Sequence, residues 1–357
     1  MPVNLYPEFS RNPSNMPGGG LGSVWVRVVA EDGTWGLGQC AFGDPVAAFV
    51  NILIAPMLEG RNCMAIEHLN DLALRVSQRF GISGTASTAM AGVDLALWDL
   101  KGKLLNVPVY SLLGGPVRES ITCYATSDDL DWSQELGFTK FKITNPAHYS
   151  EGDAGIRAVV EHVAQAREQV GPDRDLMINP VMSYNVEFAL RLLEELKPYK
   201  LRWFEEPLPP TNTKGLAELR RSAPWVAIAT GEDHHGRHAF LDLVEKRAAD
   251  ILQPDLNWGG GLTEAMKVHT IGEMAGLATI PHGGANNPFG QHFALAATES
   301  PMAEYWLGTD PGVPLEETVR IPGTAVPVNG KLVPSSAPGF GIEVEDSDVS
   351  DWDQESG

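Results

Sequence analysis

The chain has 357 residues, 43% of them hydrophobic, and carries 46 Asp+Glu against 26 Lys+Arg for a formal net charge of −20. That length holds a barrel-sized domain and a smaller one, while the acidic balance argues against a nucleic-acid surface. An anionic substrate would need a bound cation, or local Lys and Arg, to draw it in.

In chain order, residues 1–20 read as a polar loop rich in Pro and Gly, not a secretory signal. Residues 23–30, mostly β-branched or aromatic through Val24, Trp25, Val26, Val28 and Val29, predict a strand; Asp32–Gly33 turns, and 35–39 return. Helical patterns follow over 47–58, 65–80 and 86–104, the last with Met90, Val93, Leu97, Leu100 and Leu104 at helical spacing before Asn106–Val107–Pro108 stops it. Antiparallel strands followed by helices predict an α+β capping domain over residues 1–120. Cys40, Cys63 and Cys123 form no CxxC pair, so thiolate zinc and redox motifs are unsupported. No apolar run is long enough to span a membrane. A cytoplasmic enzyme with reduced thiols is expected.

From residue 121 the pattern changes. Strands are predicted at 121–125 and 138–143, with a helix over 155–170. Then five apolar runs each end on a polar residue: Asn179, Glu205, Glu232, Asp255 and His282, at intervals of 26, 27, 23 and 27 residues. One strand, one helix and two loops need about that length. Continuous apolar runs are buried parallel strands, and a run of βα units closes economically as a TIM-like α/β barrel over residues 121–310. Such a barrel places its chemistry at the C-terminal strand ends, where all five residues fall. Residues 303–307 predict an eighth strand. Residues 311–357 break into short pieces, return to the cap and end in an acidic tail.

The strand ends allow specific chemistry. Glu205 and Glu232, each following a buried apolar run, suit a hard cation such as Mg²⁺; salt bridging within the barrel is the plainer alternative. Asn179 is the third oxygen donor and brings no charge, so weak Mg²⁺ binding is expected, with Asn179→Asp tightening it. Strand alternation points Glu206 away from Glu205. His282 with Asp255 on the preceding strand end makes a general acid/base pair. Lys140 and Lys142 share one strand face and would draw a substrate carboxylate or serve as an acid/base. His234 and Trp258 are candidate pocket-lining, substrate-binding residues.

Local sequences strengthen this. Val93–Asp94–Leu95–Ala96–Leu97–Trp98–Asp99–Leu100–Lys101–Gly102–Lys103, Trp203–Phe204–Glu205–Glu206–Pro207–Leu208, Gly231–Glu232 and Gln253–Pro254–Asp255 with Gly259–Gly260–Gly261 resemble the enolase superfamily, mandelate racemase subgroup. Leu208–Pro209–Pro210, Asp153–Ala154–Gly155–Ile156–Arg157 and Pro281–His282–Gly283 look like the L-rhamnonate dehydratase family within it. The resemblance implies a (β/α)7β barrel under an α+β cap, with Mg²⁺ at Asn179, Glu205 and Glu232. It further implies an Asp255–His282 dyad with Lys142 on the second strand; separately, a homo-oligomer is expected. The implied reaction is dehydration of a sugar acid to a 2-keto-3-deoxy acid. Racemisation at C2, with Lys142 as second base, and a weakly active sugar-acid binder are the alternatives. Three departures stand out: Asn179 where the family has Asp, a start later than the family's usual first strand, and Gly308 where racemase-type members carry Glu.

Overall fold

The computed structural model describes residues 22–348; the loop expected over 1–20 and most of the acidic tail lie outside them. Strands β1 (Val24–Val29) and β2 (Trp35–Cys40) pair antiparallel across a turn at Gly33. Three helical stretches follow: α1 (Asp44–Phe49), running through a π-helical segment (Val50–Ile54) into α2 (Ala55–Leu58), then α3 (Ile66–Ser77) and α4 (Thr85–Leu105). The first begins earlier than its apolar pattern suggests, because Pro45 sits in the first turn, where a missing N–H costs nothing.

β2 lies directly on α4 because its glycines leave room. A side chain at Gly36 would strike Ala96 O and Leu100 N, and one at Gly38 would strike Gly92 O and Ala96 N. Val26, Cys40, Val46, Ile54, Leu69, Met90 and Val93 form the core of this unit.

After a short helix α5 (Val109–Leu112), eight parallel strands curl into the barrel: β3 (Ile121–Thr126), β4 (Lys140–Thr144), β5 (Asp175–Asn179), β6 (Trp203–Glu205), β7 (Ala227–Thr230), β8 (Ile251–Leu252), β9 (Ala278–Thr279) and β10 (Ala303–Trp306). Their order is β10-β3-β4-β5-β6-β7-β8-β9. Helices α6 (Leu130–Glu135), α7 (Gly152–Val170), α8 (Val186–Leu196), α9 (Thr213–Ser222), α10 (Gly236–Glu245), α11 (Gly261–Met274) and α12 (Pro288–Ala296) alternate with them. This is the (β/α)7β barrel that the repeat predicts. The apolar outer faces of the strands pack under the helices through Phe141, Ile178, Phe188, Phe204, Ile228 and Leu243. Tyr124, Met177, Trp203, Ala229, Ile251, Ile280 and Met302 fill the interior, so the barrel is a packed core whose polar residues collect at one end.

After β10 the chain adds β11 (Lys331–Leu332), antiparallel to β3. It then passes between cap and barrel, where the Phe340 ring meets that of Phe289 at 4.8 Å and Phe340 N donates to Asp99 of α4. Among the described residues no helix is long and apolar enough to cross a membrane.

Candidate active site

The C-terminal strand ends converge on one cluster of charge. Glu205, the last residue of β6, has no exposed surface. Four donors occupy its oxygens: Oε1 accepts from Lys142 Nζ and from Asn179 Nδ2 (2.9 Å), Oε2 from Trp203 Nε1 (2.8 Å) and Gln253 Nε2 (2.9 Å). Lys142 also reaches Glu304 of β10 at 2.6 Å. Burial opposes charge on Lys142, but Glu205 and Glu304 override it and hold the ammonium above the ordinary lysine range. Two carboxylates thus favour the charged form of Lys142.

His282 and Asp255 meet as the spacing predicts. His282 Nδ1 lies 2.8 Å from Asp255 Oδ2, and Asp255 Oδ1 accepts from Asn257 N and Trp258 N. With Nδ1–H donated to the carboxylate, Nε2 is the nitrogen left to take and release a proton. It points toward Glu232, whose Oε2 is 3.6 Å away. Burial works against the imidazolium, yet Glu232, Asp255 and Glu304 outweigh it and hold the proton well above the ordinary histidine range.

Glu206 lies beside Glu232 and Asp233. Its φ of 41° takes the backbone out of strand alternation just past β6, so the period-2 rule stops applying at that residue. One carboxylate oxygen from each of Glu206, Glu232 and Asp233 lies within 4.8 Å of the others. Burial, then the mutual repulsion of Glu206 and Glu232, pushes Glu206 up to about 8. Burial likewise pushes Glu232 up to about 7, against the pull of His282. Glu206 Oε2 is buried and has no hydrogen-bond partner. An oxygen-only, anion-rich set with an orphaned buried oxygen fits a hard divalent cation.

The remaining candidates divide. Trp258 belongs to the site: its ring centroid is 5.2 Å from that of His282, and its Nε1 donates to Glu232 O. The cap reaches the same loop through Ser87 Oγ to Trp258 O (2.8 Å) and Asn257 Nδ2 to Gln39 O (2.8 Å). Lys140 is not brought there. It sits at the N-terminal end of β4, paired with Asp175 at the start of β5; two residues along a strand preserve the face but change the depth. His234 is buried with both ring nitrogens unpartnered, lying 5.9 Å from the Phe240 ring, and burial lowers it to about 4. It is packed against Phe240 in an environment that disfavours its charged form, not an exposed pocket wall. Sequence reasoning passed over Glu304 and Gln253. Glu304 accepts from Gly283 N (2.9 Å) as well as pairing with Lys142. Its signal was present: a lone carboxylate inside the apolar run Ala303–Leu307, which the desolvation argument used for Glu205 would have singled out.

Two family models match the chain: "Mandelate racemase / muconate lactonizing enzyme, N-terminal domain" over residues 13–114 and "Enolase C-terminal domain-like" over residues 128–349. The L-rhamnonate dehydratase of Saccharopolyspora erythraea is 38% identical over 347 residues, covering 96% of this chain and 88% of that protein. The rhamnonate dehydratase of Gibberella zeae, solved in complex with Mg, superposes with a TM-score of 0.86 at 33% identity, covering 92% of this chain and 81% of that one. A racemase from Streptomyces coelicolor A3(2) with bound magnesium gives 0.79 at 25% identity, covering 90% and 88%.

Proposed function

Since the chain belongs to the mandelate racemase and muconate lactonizing enzyme family within the enolase superfamily, we propose that it is a Mg²⁺-dependent dehydratase. It converts an L-rhamnonate-like sugar acid to a 2-keto-3-deoxy acid. The single observation that carries this reading is the Asp255–His282 pair, with Nε2 facing the acidic cluster.

The carboxylates at the ends of β6 and β7, Glu232 with Glu205 or Glu206, would hold the cation. When bound, Mg²⁺ supplies positive charge beside the substrate carboxylate and offsets the carboxylate field that keeps His282 protonated. Everything else falls to the chain. Asp255 holds the imidazole in the tautomer that leaves Nε2 basic. Nε2 takes the C2 proton, and the C2–H electron pair moves into the carboxylate. Lys142, locked between Glu205 and Glu304, contributes a fixed positive charge close to that developing anion. The C3–O bond then breaks. Nε2 returns its proton to the departing hydroxyl, water leaves, and the enol tautomerises to the keto acid. Trp258 packs its ring against the imidazole and limits its movement.

Racemisation needs a second base on the opposite face. Lys142 is held charged by two carboxylates, which counts against it in that role. The test is incubation with a panel of sugar acids and Mg²⁺, assayed for keto acid. His282→Asn should lower turnover at least about a hundredfold with an unchanged fold. Near-native turnover in that variant removes His282 as the base, and inversion at C2 without keto acid would make the protein an epimerase.

A further inference from the structure

We infer that the N-terminal end of the barrel carries an anion site of its own, at the opposite end from His282, and that it takes a small polyvalent phosphate compound.

Three consecutive loops build it. They lead into β6, β7 and β8 and enclose a cleft of about 730 Å³, a size that suits a small-molecule ligand. Six Lys and Arg line it, against Asp175 and Asp250. In a chain of net charge −20, that local excess of cations runs against the average. The two carboxylates are already engaged. Asp175 pairs with Lys140, and Asp250 accepts from Arg220 Nε (2.7 Å) and Ile228 N (2.9 Å). Lys200, Arg202, Arg221 and Arg247 are exposed, and among the described residues their side chains make no hydrogen bond or ion pair.

The turns that present these cations are held from behind. Lys200 and Arg247 have left-handed backbones, with φ of 51° and 53°, a conformation that favours glycine. Arg167 Nη2 donates to Lys200 O (3.3 Å), and Arg220 Nη1 donates to Arg247 O (3.4 Å). The carbonyls are therefore engaged while the two cationic side chains are left over. Helices α8, α9 and α10 end here, and cations complement helix C-termini. That accounts for roughly half a charge per helix end, well short of an excess of six cations over two carboxylates. A polyvalent phosphate supplies the missing negative charge, and its oxygens match guanidinium forks in pairs. Trp225, half-buried in the wall, adds an apolar surface beside them.

The test uses the full chain, freed of divalent metal with a chelator so that no cation at the other end of the barrel draws the probe. The probe is inorganic tripolyphosphate, followed by calorimetry and thermal melts at fixed ionic strength. The wild type should bind one equivalent and melt higher with it. Arg202→Gln, Arg221→Gln and Arg247→Gln should each weaken binding at least about fivefold. Arg247→Gly guards against misfolding, because it removes the cation and relieves the left-handed backbone. It should melt no lower than the wild type without the probe and still lose affinity. A wild type that binds no tripolyphosphate overturns the site. So does binding that survives every variant undiminished, or equal stabilisation by sodium chloride at matched ionic strength. Loss of self-association in these variants, without phosphate binding in the wild type, overturns it too and makes this face a contact between copies of the chain.

Discussion

Asn179 shows how one side chain changes meaning between sequence and structure. As a sequence, an amide in place of an acid reads as a weakened ligand that Asp would repair. In the fold, it donates to Glu205 and accepts from Val181 N. An Asp there would set a second carboxylate against Glu205 and lose the donated hydrogen bond. Asn179→Asp should therefore tighten Mg²⁺ binding by adding a charged oxygen donor and, without metal, cost about 1–3 kcal/mol of stability. Calorimetry and denaturant unfolding read the two effects separately. An unchanged affinity would overturn the weakened-ligand account.

Helix α4 shows the same dependence one level up. Its glycine-bearing face lies on β2, while Asp94 on another face enters the contact with α11. Asp94 accepts from Thr263 N (2.9 Å) and Thr263 Oγ1 (2.5 Å), and Trp98 Nε1 donates to the same hydroxyl (2.9 Å). Burial raises Asp94 from its ordinary 3.8 to about 7, with Glu264 adding to the rise and Thr263 and Lys267 opposing it. The folded state thus binds a proton that the unfolded state has released between pH 3.8 and about 7. The stabilisation is complete below that window and is lost as pH rises through it, at up to about 1.4 kcal/mol per pH unit. Asp94→Asn should flatten this slope, measured as unfolding free energy across the window. An unchanged slope would assign the pH dependence to another group.

At the scale of the whole molecule, cap and barrel are joined around the site. Asp99 of α4 accepts from Leu37 N of β2 and from Phe340 N of the returning chain, and Ser87 and Gln39 hold the Trp258 loop. A cation that binds only the folded arrangement stabilises it by mass action, by about 2.7 kcal/mol at a hundred times its Kd. Saturating Mg²⁺ should raise the melting temperature by several degrees, about 2–4 °C per kcal/mol, and a chelator should reverse it. A melting temperature indifferent to both would mean that no cation binds the folded state selectively.

The sequence by itself determined the barrel and the dyad. Buried parallel strands require continuous apolar runs, their spacing counts βα units, and a polar residue closing such a run can only lie at a strand end. Asp255 and His282 were legible because adjacent strands in register bring their ends together. The tertiary structure decided what depends on depth and on competition for partners. Lys140 and Lys142 share a face, but one lies at the foot of the barrel with Asp175 and the other at its polar end between Glu205 and Glu304. Glu206 faces Glu232 because a left-handed backbone ends the alternation. Glu205 is engaged by four donors that arrive from β4, β5, β6 and the end of β8. Spacing along the chain says which residues reach the same place; only the folded packing says which of them has an oxygen left to offer.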